Sequence, residues 1–499
     1  MNRHIPILLL LVFFFSSGCK KFLDEPVLGR YDDENYFTSD ANALSAITAA
    51  YVPLTFTDAA ANSIWVLGDI ASDDVIKGGL AGSAADYTNI DEFNNILPSN
   101  GALESIWKTY YDGIFRCNVV TDGLSSENTG VSEALKKVIL AEAKFLRAYY
   151  YSELTSCFGS IPLRLKVESL AELQSPAVPQ DQVYARIEKD LQEAAADLPE
   201  TRPGAEAGRA TKGAALALLA RVYLNQQKWT QAAEAASAVE GLNIYKLTDD
   251  FSDNFKASAK NNQEVIFAVW HISAAQPNQG NSLNYWFAPQ SLNGNGFFLP
   301  NQSLADNFER SPSGITDPRM DYTLAMEGKS YYDSDFDPSW TSTGFLSKKH
   351  IQPLSEVPKN TKNQGSLNYE AIRFAEVLLI KAEALNEAGM TEQALVPLNK
   401  LRKRARESFL FDESLPGNGD VPVDLLPDIT SVSKEQAREL IRRERRSELA
   451  LEFHRFFDIV RYGKTYAETA LAGTGFVYEQ HRFFPIPQSE RDTNKKLGL

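Results

Sequence analysis

The chain has 499 residues, a length that at roughly 100–200 residues per domain would accommodate about three or four domains. Its 43% hydrophobic and 23% charged residues supply a sizeable core and exclude general disorder. Asp and Glu outnumber Lys and Arg by 65 to 50, so the surface repels phosphate backbones and nucleic acid is not an expected partner.

From the N-terminus, residues 1–18 read as a signal peptide. Arg3 supplies the positive start, and the apolar run over residues 5–15 is far shorter than the roughly 20 residues that span a bilayer. Ser16, Ser17 and Gly18 lead into Cys19, an arrangement that resembles the lipobox of bacterial lipoproteins, in which the cysteine is lipidated. The expected product is anchored by lipid on Cys19 and does not span the membrane. Cys117 and Cys157 sit in helical patterns beside apolar neighbours; the compartment permits a disulfide, and buried thiols are the commoner state there.

Helical periodicity then dominates three stretches. Residues 141–154 carry Ala148 and Tyr151 on one face, with a partner helix expected over residues 183–198 after an insertion containing Pro162, Pro176 and Pro179. In residues 215–224, Leu216, Leu219, Ala220 and Tyr223 share a face, and Trp229 and Ala232 open a second helix across Gln226-Gln227-Lys228. Ala220, Tyr223 and Ala232 fit the small, large, small pattern of tetratricopeptide helices that approach closely. The spacing returns at Leu378, Ala382, Leu385 and Ala394, with Gly389 expected as a helix C-cap and Thr391 as the next N-cap. A C-terminal helix is expected over residues 433–461, and residues 264–271 have the content of a short strand. The reading is mainly α: an irregular tetratricopeptide-type helical scaffold (about 133–240 and 370–406) with a loop-rich half formed by long insertions (about 55–100 and 270–365). No linker divides residues 19–499, so one domain is expected.

Chemical motifs are few. The five histidines are scattered, and there is no His-Glu-x-x-His or Cys-x-x-Cys for zinc. Gly294-Asn-Gly296 lacks the third glycine of a dinucleotide fingerprint, and no P-loop or Gly-x-Ser-x-Gly elbow occurs. No cofactor and no catalytic residue is nominated. With 65 acidic residues, chance carboxylate pairs arise anywhere, so counting does not remove a glycosidase. Asp333, Asp335 and Asp337 resemble the opening of a calcium loop, but Pro338 and Gly344 stand where that loop needs Gly and Glu. The basic runs Arg402-Lys403-Arg404 and Arg442-Arg443-x-Arg445-Arg446 are interleaved with glutamates at helical spacing and read as an ion-paired helix face. Aromatics embedded in polar loops are the sharpest signal, because a flat ring covers the C–H face of a sugar while neighbouring Asn and Asp bond its hydroxyls. The expected ligand contacts are Trp65, Asp73, Asp74, Tyr87, Asn284, Tyr285, Trp286 and Trp340.

Five ordered motifs together resemble the SusD/RagB family of outer-membrane lipoproteins. They are Cys19-Lys-Lys-Phe-Leu-Asp-Glu-Pro26; Ala141-Glu-Ala-Lys-Phe-Leu-Arg-Ala-Tyr-Tyr150 with Phe158-Gly-x-Ile-Pro162; Thr316-Asp-Pro-Arg319, then Arg373-Phe-Ala-Glu-Val-Leu-Leu379 with Ala382-Glu-Ala384; Arg443-x-Arg-Arg-x-Glu-Leu449 with Glu452, Arg455, Asp458 and Arg461-Tyr-Gly463; and Phe484-Pro-Ile-Pro-Gln488. The resemblance implies an α-rich lid over a SusC-like TonB-dependent transporter, delivering oligosaccharides or, in the RagB branch, peptides, and binding without cleavage. The motifs are scaffold residues and name no ligand. A secreted glycosidase and an intracellular tetratricopeptide adaptor are the rival classes, the second disfavoured by the signal peptide.

Overall fold

A computed structural model of the protein describes residues 36–498 except 126–128, 274–277, 358–360, 413, 414, 416 and 418. The signal peptide and Cys19 lie outside the described residues. Helix α1 (Asp40–Tyr51) opens where the Ser39 side chain accepts the Asn42 N–H. After the short α2 (Ala85–Asp91), the helices α3 (Gly101–Ser125), α4 (Glu133–Phe158), α5 (Gln180–Asp197), α6 (Lys212–Asn225) and α7 (Trp229–Gly241) pack in succession. Ala220 and Ala232 are wholly buried where α6 meets α7, the close approach that the small residues were expected to allow. Helix α8 (Phe374–Glu387) continues the stack against α7, α9 (Thr391–Glu407) and α10 (Lys434–Leu449), and α11 (Arg455–Arg461) follows. A single apolar cluster runs from Phe37 to Leu497, with a small satellite around Phe251, Phe409 and Leu425. Cys117 and Cys157 are free and buried, and burial pushes both thiols up, out of reactive range. Among the described residues no helix is long and apolar enough to cross a membrane.

Four expectations are corrected by tertiary contacts. Residues 370–373 belong to a strand, Tyr369–Arg373, which pairs antiparallel with Val265–Val269 before α8 begins; its partner lies a hundred residues away, where local periodicity cannot register it. The C-terminal helix breaks between Leu449 and Arg455, with Leu451 and Phe453 at φ +63 and +70. That break lets Phe453 stack on His350 and Tyr369, with ring centroids 4.7 and 5.3 Å away. Thr391 does not cap α9: Met390 precedes the helix without a side-chain cap, and the Thr391 hydroxyl donates to Asn386 Oδ1. Finally, residues 62–72, expected as a loop, are buried almost throughout. They include a wide helical turn, Val66–Ile70, in which the Ala71 N–H reaches back to Val66 O.

Candidate functional site

The loop-rich half is held together by short pairings. Strand β1 (Val75–Ile76) pairs with Leu299–Pro300, laying the segment after β1 alongside residues 290–298. Glycine makes the approach possible. A Cβ on Gly78 would lie 2.2 Å from Gly296 O, and one on Gly79, which sits at φ +80, would lie 2.5 Å from the Phe297 ring. The outcome is a groove of about 550 Å³ lined by Lys77, Gln290, Ser291, Ser339, Trp340 and Ser342. Trp340 closes a turn that Asp337 begins by accepting the Ser339 N–H at 2.8 Å. Its ring is half-buried against Tyr331 and Phe336, at 5.9 and 6.4 Å between centroids. Lys77 lies over the Phe297 ring at 5.0 Å and donates to Ser83 O. A partly open indole beside hydroxyls and a side-chain amide presents both a stacking face and hydrogen-bonding groups.

Of the eight expected contact residues, Trp340 lines this groove. Five are corrected to structural positions: Trp65, Asp74, Tyr87 and Asn284 are buried, and Asp73, part-buried, is spent on an ion pair. Trp65 is wholly buried, donates Nε1 to Ala59 O at 2.8 Å, and packs edge-on against Tyr87 and Phe287. Tyr87 is buried with it. Asn284 is buried with Oδ1 accepting the Gln352 N–H at 2.8 Å. Asp73 takes both its oxygens to Arg455, at 2.7 and 2.9 Å, and Asp74 accepts from Arg446 Nε at 2.7 Å. Tyr285 and Trp286 are half-buried behind the groove wall, Trp286 against Phe297 at 5.6 Å.

The calcium candidates do not converge. Both oxygens of Asp333 accept backbone N–H groups, those of Leu354 and Ser355, and Asp337 is used by its own turn. Among the described residues no cluster of three metal-ligating side chains forms. The groove residues that sequence reasoning missed, Lys77, Gln290, Ser291, Ser339 and Ser342, carry no motif. The available signal was glycine: Gly78-Gly79 and Gly294-x-Gly296 are a poor nucleotide fingerprint but the right residues for two backbones in contact.

Comparison with known proteins gives the fold its family. Residues 27–224 match the model described as starch-binding and associating with the outer membrane, and residues 263–498 match that of the SusD family. The chain belongs to the SusD/RagB family. SusD-like protein P2 of Formosa agariphila is 28% identical, the alignment covering 89% of this chain and 88% of that protein. A solved laminarin-binding SusD-like protein is 28% identical with a TM-score of 0.76, over 92% of this chain and 99% of the other. The surface glycan-binding protein A of Bacteroides fluxus is 26% identical with a TM-score of 0.75, over 92% and 98%.

Five of the SusD/RagB motif residues, Asp317, Arg319, Arg373, Glu448 and Glu452, meet in one buried network. Arg373 reaches Glu264 (2.8 Å), Glu448 (2.6 Å) and Glu452 (2.8 Å). Glu448 also receives Arg319 at 2.9 Å and Arg404, and Lys349 joins Glu452 at 2.7 Å. Arg319 is further held by Asp317 and Glu444 at 2.7 and 2.6 Å. Of the basic runs, Arg402, Arg404 and Arg445 are buried and paired between elements, while Lys403 and Arg442 pair along their own helices with Glu407 and Glu439, as the ion-paired helix face expected. Burial alone would raise the Glu452 carboxyl; Arg373 and Lys349 overcome this and hold it down to about 2. In a second cluster Arg446 and Arg455 pair with Asp74 and Asp73, so the C-terminal helices clamp the chain just before β1. Asp69 stands beside that clamp with no cation on it among the described residues, accepting the Phe453 and Arg455 N–H groups. Burial, followed by the neighbouring Asp74, raises its carboxyl to about 8.

Proposed function

We propose that this protein is a cell-surface, outer-membrane lipoprotein that captures oligosaccharides and passes them, uncleaved, to a SusC-like TonB-dependent transporter. The observation that carries the reading is the groove at Trp340, where a mounted indole faces hydroxyl and amide groups in a space of about 550 Å³. Ring stacking on the sugar C–H face and hydrogen bonds to its hydroxyls are the interactions such a site supplies. Relatives of matching fold and full-length coverage bear names that state laminarin or glycan binding, and the family model's description places its members with the outer membrane. In this reading Trp340 is the stacking ring, and Tyr285 and Trp286 support the wall through Phe297. Lipid on Cys19 keeps the protein beside the transporter, so modest glycan affinity suffices at high effective concentration.

The test is a binding screen of a lipid-free chain, residues 20–499, against polysaccharides, oligosaccharides and peptides. Saturable glycan binding without turnover, weakened by Trp340→Ala, is the expected result. Binding of peptides alone would move the protein to the RagB-like branch, and release of shorter sugars would make it a glycosidase. The handover is checked by co-purification with a SusC-like transporter barrel.

A further inference from the structure

A second exposed indole lies away from the loop groove. Trp270 directly follows the strand Val265–Val269 and is 40% exposed. Its ring rests against Gly208: a Cβ there would sit 3.0 to 3.2 Å from the indole Cδ1, Cγ and Nε1 atoms. A Cβ at 208 would make the ring give by a few tenths of an ångström. The backbone beneath is fixed on several sides. The His271 N–H donates to Asn368 Oδ1 at 3.1 Å, Lys260 Nζ donates to His271 O at 2.8 Å, and the buried His271 ring accepts the Phe56 N–H at Nε2. This indole is thus mounted on one side and open on the other, on a rigid base.

Two hollows of about 200 and 500 Å³ meet at Trp270 and share Gly208, Arg209, Phe267 and Ala268. Asn261 and Gln263 line the first; Thr57 and Gln279 line the second. The charged side chains at the rim are already neutralised. Arg209 makes two bonds to Glu142 at 2.9 and 3.1 Å, Arg202 bridges Glu142 and Glu206, and Glu200 faces Lys212. A ligand here meets an indole face flanked by amides and hydroxyls, and the charged side chains among the described residues that line the hollows are already paired. Those are the requirements of a neutral polyol with C–H faces. A peptide with charged ends or side chains would find no unpaired charge to complement its own among the described residues that line the hollows. None of the residues lining the loop groove lines either hollow.

We infer that the surface around Trp270, seated on Gly208, is a second binding site for neutral oligosaccharide, separate from the groove at Trp340. The inference shares its ligand class with the proposed function and adds a site. Two sites on one chain would raise retention on a long polymer through effective concentration, with little effect on a short oligosaccharide.

The experiment uses the lipid-free chain labelled with 5-fluorotryptophan. Its six tryptophans give separate fluorine resonances, assigned by Trp→Phe substitution. The protein is titrated with hexasaccharides of glucose, xylose and mannose, including laminarihexaose, and with a neutral hexapeptide. The Trp270 resonance is expected to shift saturably with at least one hexasaccharide, at a midpoint that Trp340→Ala changes by less than twofold. Trp270→Ala is expected to lower retention on the matching polysaccharide about tenfold while the Trp340 resonance still responds. If Trp340 responds to a sugar and Trp270 to none, the second site is overturned and the capture reading stands. If neither responds, both fall. A Trp270 shift with the peptide alone replaces the glycan by a peptide and overturns the assignment.

Discussion

The charged scaffold and the loop groove solve opposite problems with the same residue types. Under the loops, carboxylates and guanidiniums are buried and spent on each other: Glu448 alone receives Arg319, Arg373 and Arg404. At the groove, hydrogen-bonding groups and the Trp340 ring line open space. A buried ion pair is rigid because removing one partner strands the other without water. Exposed hydroxyls and amides carry no such constraint, so the groove is free to vary while the network beneath it is not. The Asp73 and Asp74 pairs with Arg455 and Arg446 join the two regions, fixing the start of β1 from which the groove wall is built.

Breaking the network has the largest expected effect. Glu448→Ala removes a buried carboxylate that three guanidiniums share, leaving each with one partner fewer, and is expected to lower stability by about 3–5 kcal/mol, read by urea unfolding; a loss under 1 kcal/mol would mean the network is not the frame described. Gly79→Ala comes next. It places a Cβ at φ +80 against Phe297, and strain of this kind costs about 1–3 kcal/mol. The same variant should weaken glycan binding, because the wall must move, whereas Gly82→Ala, also at φ +77 but with open space around it, should leave binding unchanged.

The pH dependence sharpens the contrast within the scaffold. Asp69 is raised by burial and by Asp74 to about 8, and Glu153, by burial and Glu376 against the opposing Arg221, to about 7. The folded state therefore holds protons that the unfolded chain releases. Their stabilisation is complete below about pH 4 and declines as pH rises through 7 to 8. Glu376 and Glu452 act in the opposite sense. Arg221 leads for the first and Arg373 for the second in overcoming desolvation and holding the carboxyl down to about 2, so their contribution is present above pH 4.5 and lost toward pH 2. Stability measured against pH should fall at both ends, and Asp69→Asn should flatten the alkaline side alone.

Much of the scaffold is legible in the sequence because helix packing repeats at a fixed period. Ala220, Tyr223 and Ala232 declare the α6/α7 contact from spacing alone, and the motif residues Asp317, Arg319, Arg373, Glu448 and Glu452 are among those that meet in the network. What periodicity misses is set by distant partners. The break after Leu449 exists so that Phe453 can stack on His350 and donate to Asp69, and the strand Tyr369–Arg373 exists because Val265–Val269 lies beside it. The groove was the least legible part. Composition does not separate Trp65, which seals the core, from Trp340, which lines the groove; pairing between β1 and Leu299–Pro300 decides it. The paired aspartates 73 and 74 look like sugar ligands until Arg446 and Arg455 arrive from nearly four hundred residues away.

The smallest expected effect on stability belongs to Trp340, and it makes the most direct test. Urea unfolding and glycan titration would be run in parallel on the wild-type chain and on Trp340→Ala. A half-exposed ring on a surface turn should change stability by about 1 kcal/mol or less, while loss of the stacking face should weaken the sugar at least tenfold. Undiminished glycan binding, or a loss of stability as large as the loss of binding, would contradict the division between a scaffold that holds the fold and a groove that holds the ligand.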